Sequence, residues 1–268
     1  MTSEEDLGYI SVGSGEKNLV LIHGLASDSG FWLPLLSNLN KHEYTIHLVD
    51  LRGHGKSTFR NRSMMPSLLA KDIYKVCRDR QITRPLFVCH SFGGRVGLNL
   101  MQEKNAEDNS HLLILDTYWP EFQERPTVRA VIERSEDNTK PKELSDQHIP
   151  VSATRSLEIM RSRFSKWSEG IKKKKRQENI KAWDEIMSDQ DEIRRIDNEV
   201  DQVIIIDEIQ RVRDRIHMIY GGSSIFVDSA IHARDRLGID CEILENARHF
   251  FPRYQAGFVA EKISKIKW

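Results

Sequence analysis

The feature that most constrains this chain is the passage from Arg84 to Leu98. There the apolar run Leu86-Phe87-Val88 ends in Cys89-His90-Ser91-Phe92-Gly93-Gly94, and helix-like spacing resumes at once. A strand can pass directly into a helix at such a serine only if the serine takes a strained backbone conformation, so the residues two before and two after it must be small. Cys89 and Gly93 meet that demand, with cysteine in the first place rather than glycine. A turn of this kind lifts the hydroxyl clear of the sheet. It also sets the backbone N–H of Phe92 above the positive end of the following helix, aimed at an incoming carbonyl oxygen.

The rest of the chain supplies a sheet for that turn. Tyr9–Val12 alternates like an edge strand, and Gly13-Ser14-Gly15 turns it back. Asn18–Ile22, the run before Ser91, Leu112–Leu115 and Ile216–Tyr220 are nearly continuous apolar runs, the pattern of strands buried on both faces of a parallel sheet. Tyr44–Val49 and Asp240–Leu244 complete the set, and helical periodicities lie between them, as at Trp32, Leu35, Leu36 and Leu39. Strands and helices that alternate in this way predict an α/β protein with a mostly parallel central sheet flanked by helices. After the second strand, His23-Gly24-Leu25 places a further backbone N–H, that of Leu25, opposite that of Phe92.

Composition changes once. Residues 121–215 carry 41 charged side chains in 95 positions, against 39 in the other 173. The core pattern resumes at Ile216, so the charged block is an insertion. Leu157, Met160, Phe164 and Trp167 form one helical stripe within it, Ile180, Trp183 and Met187 a second, and Ile193, Ile196, Val200 and Val203 a third. The expected division is a core of residues 1–120 and 216–268 with an inserted helical cap, 121–215, over the C-terminal edge of the sheet.

Taken together, His23-Gly24, Asp50-Leu51-Arg52-Gly53-His54-Gly55-Lys56-Ser57, Cys89–Gly94 and His249-Phe250-Phe251 resemble the α/β-hydrolase superfamily, in its order and over nearly the whole chain outside the charged block. The resemblance implies Ser91 as nucleophile and His249, which follows the last strand, as its base, although Arg248 stands before that histidine where the family often has glycine. In most relatives the acid follows the penultimate strand in a Gly-x-x-Asp turn. Here that turn reads Gly221-Gly222-Ser223-Ser224. Some branches carry the acid one strand earlier, where this chain has Asp116. Asp116 is the expected acid, with Asp228, or a Ser91–His249 dyad steadied by Ser224, as alternatives. Leu25 and Phe92 are the expected oxyanion donors. His23, Trp32, Trp119, Phe164 and Trp167 are the expected substrate contacts, and for His23 and His54 a turn-holding role by hydrogen bonds is the competing expectation.

The activity implied is hydrolysis of a carboxylic ester, thioester or lactone in a small-molecule acyl substrate of apolar character. Lys172–Arg176 offers a docking site for an acyl carrier protein or coenzyme A in the alternative reading as a thioesterase or acyltransferase. A rival in the same superfamily is the group of cofactor-independent dioxygenases that open N-heteroaromatic rings, which share His90-Ser91, Asp116 and the late His249-Phe250, followed by Phe251-Pro252, but not Phe92. A non-catalytic small-molecule receptor is another. Forty basic and forty acidic residues cancel, which gives no electrostatic case for nucleic acid. No apolar run approaches the ~20 residues of a membrane span, no metal-ligand spacing or phosphate loop stands out, and no cofactor is expected. The acidic N-terminus and the three scattered cysteines, Cys77, Cys89 and Cys241, point to a reduced, cytoplasmic protein.

Overall fold

The computed structural model describes residues 7–58, 63–102, 109–122, 177–179, 181–183, 185, 188–200 and 204–268. Seven strands form one sheet: β1 (Tyr9–Gly13), β2 (Lys17–Ile22), β3 (Tyr44–Val49), β4 (Leu86–His90), β5 (His111–Leu115), β6 (Ile216–Gly221) and β7 (Asp240–Leu244). Their order across the sheet is β1-β3-β2-β4-β5-β6-β7. Among the described residues only β1 runs antiparallel, against β3, and every other pairing is parallel. The elbow strand β4 lies centrally, so both faces of its turn are covered.

The strands divide the core into two layers by simple alternation. Leu19 and Leu21 of β2, Leu86 and Val88 of β4, and Leu113 and Leu115 of β5 face α1 (Leu33–Asn38) and the closing helix, residues 256–265. Val20, Ile22, Phe87, Cys89, Leu112 and Ile114 face α2 (Pro66–Asp79) and α3 (Phe92–Gln102). Pro66 occupies the first turn of α2, where a missing N–H costs nothing. Its Leu69, Ala70, Ile73 and Cys77 are then buried at helical spacing.

Strands β5 and β6 are neighbours in the sheet, so the charged block 121–215 leaves and re-enters between adjacent strands. Of its expected apolar stripes, Trp183, Ile196 and Val200 are buried. Leu157, Met160, Phe164, Trp167, Ile180, Met187, Val203 and the Lys172–Arg176 run, and the side chain of Ile193, lie outside the described residues or side chains. The chain is back among core residues by Ile204, ahead of 215, and α5 (Ile206–Val212) buries Ile209 in the α3 layer. The intervening helix α4 is Gln190–Val200.

One buried histidine gives the fold a pH response. On β3, His47 accepts from the Tyr9 hydroxyl at Nδ1 (2.6 Å) and donates from Nε2 to Asn18 Oδ1 (3.0 Å). Burial, with the Arg80 charge, pushes its pKa from 6.5 down to about 4. The unfolded chain therefore takes up this proton at a higher pH than the folded one does, and stability falls as pH drops through that window. The urea midpoint is expected to decrease from pH 7 to pH 5, and to decrease less in His47→Phe.

Candidate active site

Ser91 sits between β4 and α3 with φ of 53°, in the left-handed region that residues other than glycine rarely adopt. The surrounding backbone over-determines it. Its N–H donates to Leu115 O (3.0 Å), and its carbonyl accepts from Gly94 N (2.8 Å) and the Thr117 hydroxyl (2.8 Å). A Cβ on Gly93 would lie 2.6 Å from the carbonyl oxygens of both Ile22 and His23, so glycine is required two places after the serine. Two places before it, Cys89 is tolerated because α3 is thin opposite: a Cβ on Gly97 would lie 2.9 Å from the Cys89 sulfur.

Asp116 follows β5 directly, is fully buried and also takes a left-handed conformation, φ 58°, which an aspartate tolerates better than most side chains. Its Oδ1 accepts from Gly221 N (2.9 Å). Its Oδ2 accepts from His249 Nδ1 (2.7 Å) and from the Ser224 hydroxyl (2.5 Å). Ser224 Oγ in turn accepts from Phe226 N (3.2 Å), which directs its one proton to the carboxylate. Ser224 is thus a partner of Asp116 rather than its replacement. Asp228 is exposed in the first turn of the helix Val227–Leu237. With Nδ1–H committed to Asp116, His249 keeps the Nε2 lone pair available as a base.

The imidazole of His249 is packed among three aromatic rings. Phe226 meets it edge-on at 5.1 Å, Phe250 lies at 5.0 Å and His90 at 4.7 Å. His90 does not enter the elbow-helix layer. It stacks on Phe31 (4.4 Å) and donates from Nε2 to the His249 carbonyl (2.9 Å). Full burial, with His249 and His23 nearby, holds its pKa well below the usual histidine range, so it stays neutral.

The His23-Gly24-Leu25 turn lies against the elbow, since a Cβ on Gly24 would come 3.1 Å from Ser91 Cβ. Phe92 opens α3, so its N–H has no helical acceptor. Neither the Leu25 nor the Phe92 N–H has a backbone acceptor among the described residues.

Residues 17–123 match the family profile described as alpha/beta hydrolase fold. Among solved structures, an N-acyl homoserine lactone degrading enzyme superposes with a TM-score of 0.63 at 17% identity, covering 100% of this chain and 99% of that one. A bromoperoxidase from Bacillus anthracis gives 0.66 at 15% identity over 98% and 95%. This chain has the α/β-hydrolase fold. Curated relatives align over shorter stretches. The magnesium-chelatase 30 kDa subunit of Rhodobacter capsulatus is 33% identical over 84 residues, 31% of this chain and 29% of that protein. The pimeloyl-[acyl-carrier protein] methyl ester esterase of Proteus mirabilis is 40% identical over 51 residues, 19% of each. The chain therefore matches less than a third of the length of either.

Within the hydrolase fold, the expected contact residues have other surroundings. His23 is fully buried, donates from Nδ1 to Gly24 O (2.7 Å) and accepts from Leu51 N at Nε2 (3.0 Å). Both ring nitrogens are spent on the turn, leaving none for a substrate. Trp32 is fully buried in the α1 layer, edge-on to Phe31 at 4.9 Å. Trp119, also fully buried, donates to the Tyr220 hydroxyl (2.9 Å), which donates to Thr117 O (2.6 Å). It braces the elbow from behind. Phe164 and Trp167 lie outside the described residues. Aromatic rings that do reach the site include Phe250, already named against His249, and Phe226 with Tyr118 beside it at 5.7 Å. Their signal was positional: each follows a turn that carries a polar site residue.

Among the described residues, no group of three His, Cys, Asp or Glu side chains is placed to hold a metal ion. No helix among them is long and apolar enough to cross a membrane.

Proposed function

We propose that this protein is a serine hydrolase that cleaves a carboxylic ester, thioester or lactone through an acyl-enzyme on Ser91. The observation that carries the reading is the 2.7 Å pairing of His249 Nδ1 with Asp116 Oδ2 beside a serine held in the left-handed turn. That pairing fixes the tautomer a base needs, and a turn of this kind lifts the serine hydroxyl clear of the sheet for attack. Ser91 Oγ attacks the acyl carbon as its proton passes to His249 Nε2. The oxyanion takes the Leu25 and Phe92 N–H groups, and Asp116 balances the imidazolium. His249 returns the proton to the departing alcohol or thiol. Water, deprotonated by the same nitrogen, then releases the acid and restores Ser91.

The relative named as a pimeloyl-[acyl-carrier protein] methyl ester esterase supports a carboxylic ester as the bond cleaved. It also supports an acyl chain presented on a carrier, for which the basic run Lys172–Arg176 is the proposed dock. Residues 121–215 are proposed as the cap over the acyl pocket, whose apolar wall begins at Phe226 and Tyr118.

The test is a fluorophosphonate probe applied to the protein and to Ser91→Ala, each read by intact mass, followed by an ester and thioester panel. A single adduct on the parent, absent from the variant, is expected. No adduct, together with oxygen consumption on a hydroxyquinolone, would overturn the reading in favour of a ring-opening dioxygenase.

A further inference from the structure

His54 takes no part in the chemistry above, yet every atom that can bond on its ring is engaged. Nδ1 donates to Arg52 O (2.8 Å), so Nε2 carries a lone pair, and that lone pair accepts from Ala26 N (2.9 Å). Ala26 has φ of 54°, a left-handed conformation for a residue with a side chain. It comes one residue after Leu25, the proposed oxyanion donor. On the other side of Leu25, His23 Nδ1–H holds Gly24 O. In a trans peptide the N–H points opposite to the C=O, so anchoring Gly24 O aims the Leu25 N–H. The two imidazoles sit 5.1 Å apart and grip the turn from both sides, with Leu51 N and Arg52 O as their other attachments.

The grip is also roofed. Trp183, from the inserted block, packs at 4.9 Å on the His54 ring and donates from Nε1 to Gly53 O (3.0 Å). One helical turn earlier, Asn179 donates to Gly55 O (3.1 Å) and Ser57 O (2.9 Å). These contacts shut water away from His54. A protonated His54 would offer Ala26 a second N–H in place of an acceptor, and the grip would fail.

We infer that His54 is a positioning residue for the oxyanion hole: its Nε2 holds Ala26 in the left-handed turn that aims the Leu25 N–H, and Trp183 of the inserted block keeps it dry. The inference rests on the serine-hydrolase reading. Burial, with the neighbouring His23, pushes the His54 pKa down to about 3, so the acceptor persists across neutral and mildly acidic pH. Loss of a whole oxyanion donor costs ~10²–10³ in turnover, and a misaimed donor costs part of that.

The test uses p-nitrophenyl acetate turnover, with active sites counted by fluorophosphonate adduct, for the parent, His54→Phe and His54→Gln. His54→Phe fills the space without an acceptor, whereas the glutamine carbonyl can still accept from Ala26. Expected is a fall in kcat per labelled site of roughly 10–100-fold for His54→Phe with KM within about 2-fold, and recovery of most of it in His54→Gln. A merely structural role would lower the labelled fraction and leave kcat per labelled site unchanged, and that result overturns the inference. Equal losses in both variants overturn it too. A parent that neither labels nor turns over any ester would bring down the underlying reading first.

Discussion

Asp116→Asn is expected to cut turnover by about 10⁴-fold while leaving the fold in place. The backbone there is left-handed, φ 58°, and asparagine tolerates that region as aspartate does. Gly221 N can still bond a side-chain oxygen, so the turn keeps its anchor. The change falls on the other atom. Where Oδ2 accepts from His249 Nδ1 at 2.7 Å, the amide presents N–H, and two donors cannot face each other. His249 must then move its proton to Nε2, which removes the lone pair that, in the proposed mechanism, receives the Ser91 proton. Ser224 cannot take over: its hydroxyl points at Asp116, with Oγ also bonded to Phe226 N. The measurement is kcat on the ester that the panel identifies, with urea midpoints compared to show that folding is kept. Turnover within ten-fold of the parent would remove Asp116 from the mechanism.

The sheet was legible because parallel strands buried on both faces leave continuous apolar runs, as at Leu86–Val88 and Leu112–Leu115, and the seven described strands stand where those four runs and the three weaker patterns lie. The elbow was legible for a steric reason. Gly93 is forced by the carbonyl oxygens of Ile22, which ends β2, and His23, which follows it, and such demands act locally. What stayed hidden depends on which layer a side chain enters. Trp32 and Trp119 are large aromatic residues near site motifs, and composition alone makes them pocket walls. In the fold, Trp32 fills the α1 layer and Trp119 bonds Tyr220 behind the elbow. The serine turn after β6 was readable as a departure from the family pattern. Its consequence, a hydroxyl that bonds the Asp116 carboxylate, needed the distance between residues 108 positions apart.

A second hidden feature carries the largest expected stability effect. In a sequence this rich in charge, Arg95 and Glu121 read as two more solvated side chains. They form instead a buried, two-pronged ion pair, Nη1 to Oε2 and Nη2 to Oε1, both at 3.0 Å, with side chains only 3% and 7% exposed. Glu121 Oε1 also accepts from Ile204 N at 2.9 Å. The pair therefore ties α3, one turn beyond Phe92, to both ends of the inserted block: the point where it leaves β5 and the point where it rejoins the core. Removing one partner strands the other charge in a dry site, and this costs about 3–5 kcal/mol. Arg95→Met is expected to lose that much in urea unfolding followed by tryptophan fluorescence and far-ultraviolet circular dichroism. Glu121→Met should lose at least as much, because it orphans the Ile204 N–H as well. The double variant is the discriminating case. With no charge left to desolvate, Arg95→Met/Glu121→Met should recover much of the loss, leaving mainly the unpaired Ile204 N–H at about 1–3 kcal/mol. Losses that simply add would show that each side chain stabilises the fold through separate contacts, and that the pairing itself contributes nothing.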